Sequence, residues 1–410
     1  MAFNMLFQKY VPPLLFISFL ISSCRSPSKS FLFDDFTFKK ESWDNVPLSE
    51  TLIKKDSLIS SIENNIQWLN NKKSNSIFQL KDIKFSTQDY ICSSTNLLND
   101  IKRDKILLTS LKNNFDVYKL AIEDDKNVLY TGYYIPYAEA SDKPSKTYKT
   151  PVYKMPKDLI TVDLEDFNPN YKGKRIRGRV EKNQLKPYWT REEITSKKKL
   201  DNKNLEIAWV KNKVDLFFIE IQGSGLLIYP NGDRKYIHYS SQNGREYNPI
   251  GALLFKEGHL DKSKITMQSI RKWLDDNPKE KNRILNYNKS YVFFSLEDDG
   301  PFGNINVRLI PERSIAADQR ILPAGTLTLL DFKMPATFNT LTNIQNLPDE
   351  KFNQLAFVQD TGGAIKGPHR IDVFWGEGHK AGEIAGATQQ QGEMYVLIPK
   401  NPCLPLLAHD

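Results

Sequence analysis

The chain has 410 residues, of which 40% are apolar and 26% charged, and a formal net charge of +8 at pH 7. This composition excludes a disordered chain, and the length allows a substantial core and two domains. Mild basicity suits anionic lipid or polymer. The densest basic run, Lys172 to Arg179 ("KGKRIRGR"), lacks the aromatic platform or helical basic face of a nucleic-acid site. It reads as a solvated loop or strand edge, and no nucleic-acid partner is expected.

From Lys9 a short apolar run, "YVPPLLFISFLISS", leads to Cys24. It is too short and too terminal for a membrane span, and it reads as a signal peptide over residues 1–23. Ile21-Ser22-Ser23-Cys24 resembles the bacterial lipobox, whose cysteine is lipidated after cleavage; an ordinary secretory signal is the alternative. Acylation at Cys24 would anchor the chain without spanning. Arg25, not Asp, follows, which by that resemblance implies an outer-membrane lipoprotein facing the periplasm. Removing residues 1–23 takes away one Lys and no acid, leaving 56 − 49 = +7. Residues 24–45 then read as a tether.

Leu52, Ile59, Ile62, Ile66 and Leu69 recur at helical steps, with Ser49 as a cap. A second helical segment is expected over 94–112 and a third over 263–275. Between them lie short strands: "VLYTGYYIPY", "TPVYKM", "LEIAWV", "DLFFIEIQGSGLLIYP" and "RKYIHYS", the last two joined through "YPNGDRKY", whose Asn-Gly fits a tight primed turn. From Tyr291 strands dominate again: "YVFFSL", "SIAADQRILPAGTLTLLD", "QLAFVQD", "RIDVFWG" and "EMYVLIPK". Helices framing two β-rich regions predict an α+β, mainly β protein with barrel-like sheets. Beyond Cys24 only Cys92 and Cys403 remain, and two cysteines carry no framework signal. The five histidines show no metal-ligand spacing, so neither metal nor cofactor is expected.

Chemistry concentrates near the C-terminus. In "RIDVFWG" alternation puts Ile371, Val373 and Trp375 on one face and Asp372 with Phe374 on the other. A carboxyl group flanked by apolar and aromatic groups loses hydration, and its pKa rises into the range of a proton donor. Asp360 ends the strand "AFVQD" before Gly362 and Gly363, and Asp318 ends "SIAAD" before a Pro-x-Gly turn. Each alone reads as a turn-capping Asp; together they suggest a shared site.

These motifs carry a resemblance. Thr131-Gly132-Tyr133-Tyr134 with Pro136, Gln222-Gly223-Ser224-Gly225, "SSQNGREY" (240–247), "MQSIRKW" (267–273), "SYVFF" (290–294), "AADQRILPAGT" (316–326), "DTGGAIKG" and "DVFWGEGHKAGEIAG" follow in order. Over roughly residues 90–400 the chain resembles the membrane-bound lytic murein transglycosylase A family, with its three-aspartate domain. The basic loop "KPYWTREEITSKKKL" departs from that pattern. The resemblance implies a double-psi β-barrel domain (46–134 and 245–400) and an inserted β-rich domain (135–244), with a glycan groove between them. It implies cleavage of the β-1,4 bond between N-acetylmuramic acid and N-acetylglucosamine in peptidoglycan, leaving a 1,6-anhydromuramoyl end. Asp372 aligns with the catalytic acid; Asp360 is expected to support it, and Asp318 to support it or to be structural. Thr131, Gly132, Tyr133, Gln222, Ser224 and Gly225 become candidate substrate-binding residues. Cell-wall synthesis or division proteins are candidate partners. A hydrolytic muramidase and a tethered, non-catalytic peptidoglycan-binding lipoprotein are the competing readings. An aspartic protease would need a second Asp-Thr/Ser-Gly triplet, which the chain lacks.

Overall fold

The computed structural model describes residues 35–48, 54–72, 76–123, 126–261, 265–334, 351–362 and 365–400. The signal peptide, Cys24, the first half of the expected tether (24–34), the Ser49 cap and Cys403 lie outside these residues; the second half is ordered structure instead of a tether, with the strand Phe36–Glu41 paired in a sheet and a turn at Trp43–Asn45. No helix among the described residues is long and apolar enough to cross a membrane.

The fold is a strand-rich mixture of α and β built on two main sheets. Six strands close on themselves: Gln389–Pro399, Leu327–Lys333, Lys351–Asp360, Ser314–Ala316, Arg370–Glu377 and Val128–Ile135, the last pairing back to the first. Phe36–Glu41 and Phe115–Ile122 extend this sheet along the outer part of Gln389–Pro399. Pro136 interrupts the run "VLYTGYYIPY", and the chain passes into the second sheet at Tyr137–Ser141. That sheet adds Thr150–Tyr153, Glu206–Val210, Ser224–Ile228, Arg234–Gln242 and Val292–Glu297. One run of sequence thus serves two sheets, because proline cannot donate to a ladder.

Several local expectations change. The first helix is Lys55–Asn70, and its buried stripe is Leu58, Ser61, Ile62, Asn65 and Leu69, so Ile59 and Ile66 flank the core. The segment expected as one helix over 94–112 is two, Thr87–Lys102 and Leu107–Asn114. Ser86 caps the first by accepting the Asp89 amide at 3.0 Å, a Ser-x-x-Asp signal that the apolar periodicity overlooked. Asp104 at φ +58° breaks the run between them. The larger correction is "DLFFIEI", expected as a strand. It is the helix Lys213–Gln222, capped by Asn212 and ended by Gly223 at φ +83°. Val214, Leu216, Phe217, Phe218, Ile219 and Glu220 are all buried, and a helix apolar on nearly every side loses the periodicity that identifies it. The "YPNGDRKY" hairpin forms, but through a five-residue loop in which Gly232 alone takes a positive φ.

Helices Lys55–Asn70 and Thr87–Lys102 pack on the closed sheet at Gly325, whose carbonyl accepts both Asn65 Nδ2 (3.1 Å) and Tyr90 Oη (2.6 Å). Cys92, on the second of these helices, is disulfide-bonded. Arg191, fully enclosed, pairs with Glu220 and donates to the carbonyls of Asn288 and Ser290, tying the helix Lys213–Gln222 to the chain entering Val292–Glu297.

Candidate active site

Sheet register aligns the carboxylates. Ala316 lies opposite Asp360 on one side and opposite Asp372 on the other, and Asp372 in turn lies opposite Thr131. Four neighbouring strands thus place Asp360, Ala316, Asp372 and Thr131 in one row, with the two aspartate backbones about 10 Å apart at two strand spacings. Asp360 and Asp372, twelve positions apart in sequence, become neighbours because the glycine bend returns the chain one strand beyond Ser314–Ala316.

Alternation along Arg370–Glu377 holds as expected. Ile371, Val373 and Trp375 are buried, and Arg370, Asp372 and Phe374 share the other face. Phe374 packs with Ile135, Leu226 and Leu309, and against Ile228 and Tyr236 of the second sheet. Asp372 therefore lies on the face turned toward that sheet, with its side chain 15% exposed. Thr131 Oγ1 donates to Asp372 Oδ1, and Arg370 Nε reaches the same oxygen at 3.2 Å and Thr131 Oγ1 at 3.1 Å. Among the described residues no donor reaches Oδ2. Burial raises the Asp372 pKa above its usual value, and the Arg370 guanidinium opposes that rise.

Asp360 is held differently. Its Oδ1 accepts the amides of Thr361 (2.9 Å) and Asn304 (3.0 Å). Burial pushes its pKa up to about 6 against those amides, with the Asp372 charge adding the smallest push. Tyr133, on the Thr131 face, stacks obliquely on Phe374 at 5.2 Å between ring centroids. Its hydroxyl is buried without a well-formed hydrogen bond. Burial and the fields of Asp360 and Asp372 keep that hydroxyl protonated.

Asp318 faces inward, 4% exposed. It accepts Arg320 Nη2 (2.5 Å), Arg320 Nε (2.9 Å) and the Gly367 amide (2.9 Å). Burial alone would raise its pKa, but these donors hold it at about 2. It is a carboxylate at neutral pH that fastens the turn after Ser314–Ala316 to Gly367, in the segment between Asp360 and Asp372.

The remaining candidates divide. Gly132 is on the face opposite Asp372, where a Cβ would stand 2.5 Å from Trp375 Nε1 and 2.8 Å from Ala385 Cα; its lack of a side chain seats Trp375 and the helix Gly378–Ala387. Gly225 is likewise closed by Ile219, 2.6 Å from a built Cβ. Gln222 ends the helix Lys213–Gln222 with its amide on Met267 Sδ at 3.6 Å, and Ser224 pairs with His238. No hydrogen bond joins Gln222, Ser224 or Gly225 to Asp360 or Asp372. Nor does either aspartate line two clefts among the described residues, one of about 580 Å³ beside Tyr134, Asp215, Arg271 and His379 and one of about 730 Å³ around Tyr153, Arg191 and Trp209. Arg370 and Asn304, which contact Asp372 and Asp360, are not among the residues the sequence singled out. Arg370 is legible in retrospect, standing two residues before Asp372 on the same strand face. Asn304 acts through its backbone amide, which leaves no residue-type signal.

Residues 129–295 match the family described as the MltA specific insert domain, and residues 313–398 match the 3D domain. The chain is 31% identical over 278 residues to the membrane-bound lytic murein transglycosylase A of Vibrio cholerae, covering 67% of this chain and 66% of that protein. It is 30% identical over 274 residues to the Escherichia coli protein of the same name, covering 66% of each. The match thus spans just under two thirds of the length of these relatives. A solved membrane-bound lytic murein transglycosylase from Agrobacterium tumefaciens superposes with a TM-score of 0.70 at 28% identity, over 88% of this chain and 98% of that one. MltA from Neisseria gonorrhoeae shares the fold, with a TM-score of 0.73 at 24% identity over 90% and 93% of the two chains. By these matches and the ordered motifs that carry them, the chain belongs to the membrane-bound lytic murein transglycosylase A family.

Proposed function

We propose that the chain is a peptidoglycan lytic transglycosylase in which Asp372 is the single acid and base. The observation that carries this reading is the asymmetry of its carboxyl group. Thr131 and Arg370 both gather on Oδ1, which leaves Oδ2 open on the face turned to the second sheet. Protonated, Asp372 gives its proton to the oxygen between N-acetylmuramic acid and N-acetylglucosamine as the C1–O bond breaks. The resulting carboxylate, held by Arg370, then takes the proton of the muramoyl C6 hydroxyl as that oxygen bonds to C1 and closes the 1,6-anhydro ring. A glycosidase that uses water or an enzymic nucleophile needs a second carboxylate in that role; an attached hydroxyl supplies the nucleophile by proximity.

Asp360 serves as a positioning group that orders Asn304 and Thr361 beside Tyr133, and Asp318 is structural. Thr131, by its place in the row, and Tyr133, two residues on along the same strand face and opposite Phe374, are the best-supported substrate-side residues. Closure of six strands, with parallel pairs Val128–Ile135/Arg370–Glu377 and Ser314–Ala316/Lys351–Asp360, supports a double-psi barrel. The insertion begins at Pro136, and the sheet membership of Val292–Glu297 supports drawing its far boundary there rather than at 244. The mature protein is anchored through Cys24 to the outer membrane, facing the periplasm, with wall-processing proteins as partners. Product analysis on purified murein sacculi tests the activity. An anhydro end lacks one water relative to a reducing end, so reducing ends would mark a hydrolase, and binding without soluble product a scaffold.

A further inference from the structure

The basic run of the sequence lies on a small sheet that the proposed chemistry does not use. Ile160–Asp163, Arg175–Glu181 and Gln184–Pro187 form a three-stranded antiparallel sheet separate from the others. Its register pairs Val162 with Ile176, Ile160 with Gly178, and Val180 with Leu185. Ile160, Val162, Ile176, Val180 and Leu185 therefore share one face. That face is the outer one: Ile160 is 39%, Ile176 44%, Val180 60% and Leu185 41% exposed. The opposite face is covered only at Arg177 and Arg179, while Thr161, Arg175, Gln184 and Lys186 on it are exposed. Arg179 lies 3.4 Å over the Trp189 ring, and the Arg177 backbone and Cβ close on Gly244. A solvent-facing sheet face normally carries polar residues, so an exposed face of Ile, Val and Leu is unusual.

The rim of this sheet is cationic. The loop from Leu164 to Lys174 presents Phe167, 78% exposed, and Tyr171, 44% exposed, with Lys172 and Lys174 beside them. Residues 154–187 hold nine Lys and Arg against five Asp and Glu, 9 − 5 = +4, half the net charge of the chain in 34 residues. Three of those acids are already paired, Asp163 with Arg175, Glu181 with Arg179 and Asp158 with Lys203. An exposed aliphatic face edged by aromatic rings and lysines matches the boundary of an anionic bilayer, where the side chains enter the acyl region and the ammonium groups meet phosphates.

We infer that the sheet of residues 160–187 is a membrane-contacting arm that rests on an anionic phospholipid surface. It supplies a second attachment beside any acyl anchor and holds the chain in one orientation to the bilayer. The test uses the full chain carrying Cys24→Ala, so that no acyl group contributes, sedimented with vesicles of equal parts phosphatidylglycerol and phosphatidylcholine. Phe167→Ser/Ile176→Thr/Val180→Thr, which keeps strand-compatible side chains at the two strand positions, should weaken binding about tenfold or more. Lys172→Gln/Lys174→Gln should weaken it similarly, and raised salt should mimic that loss. Both variants should turn over glycan at the parental rate, which verifies their fold without bearing on membrane binding. Vesicle binding equal to the parent in both variants would overturn the inference. So would a parental dimer in sedimentation velocity that the apolar substitutions dissolve while vesicle binding persists, since the face would then belong to a second copy.

Discussion

The assignment of Asp372 is best tested by Asp372→Asn. The replacement is isosteric, and its amide oxygen can still accept from Thr131 and Arg370, the donors that the described residues place on the native carboxyl group. It also removes a charge that burial disfavours. Stability should therefore change by no more than about 1 kcal/mol. Chemistry should suffer far more, because the amide can neither donate the proton to the glycosidic oxygen nor receive the one from the C6 hydroxyl. General acid–base groups contribute about 10²- to 10⁴-fold. A group used in both directions belongs at the upper end, so we expect kcat to fall by at least about 10³-fold, or about 4 kcal/mol of transition-state stabilisation. The assay is release of anhydro-muropeptides from sacculi, quantified by mass spectrometry, with unfolding curves run in parallel. Asp372→Asn retaining turnover within tenfold of the parent, while Asp360→Asn abolishes it, would refute the reasoning and move the proton donor to Asp360.

Arg370→Gln removes the interaction that opposes the raised Asp372 pKa, so the alkaline limb of the pH–rate profile should move to higher pH. Asp318→Asn should cost about 2 kcal/mol in denaturant unfolding at neutral pH. Because the folded pKa of about 2 lies below the ordinary carboxyl value of 3.8, that cost is present above about pH 4 and shrinks as pH falls toward 2. Asp360 has the opposite sign. Its pKa rises from 3.8 to about 6, so its stabilisation is complete below pH 3.8 and is lost as pH rises through 6. Asp360→Asn, whose oxygen can still accept the Asn304 and Thr361 amides, should then be more stable than the parent at pH 8, by up to about 3 kcal/mol. Gly132→Ala drives a methyl group onto Trp375 and Ala385 and should lower stability by about 1–3 kcal/mol, with a matching fall in melting temperature.

The residues alone determined what is local. Alternation in "RIDVFWG" set Asp372 on the face of Phe374 and away from Ile371, Val373 and Trp375, as the structure has it. The glycines after Asp360 marked the bend, and the ordered motifs carried the family. Periods of 2 and 3.6 and turn residues are written along the chain, so they can be read along it. They fail where burial erases the contrast, as in the helix Lys213–Gln222, whose apolar run looked like a strand. Partnership across strands has no such signature. That Ala316 lies between Asp360 and Asp372, that Thr131 meets Asp372 from 241 positions away, and that Asp318 spends its charge on Arg320 and Gly367 follow from non-local packing. The sheet of residues 160–187 is a further case. Its alternation is plain in sequence, but only tertiary contacts at Trp189 and Gly244 decide which face meets water, because a period of two names two faces without saying which one the rest of the protein will cover.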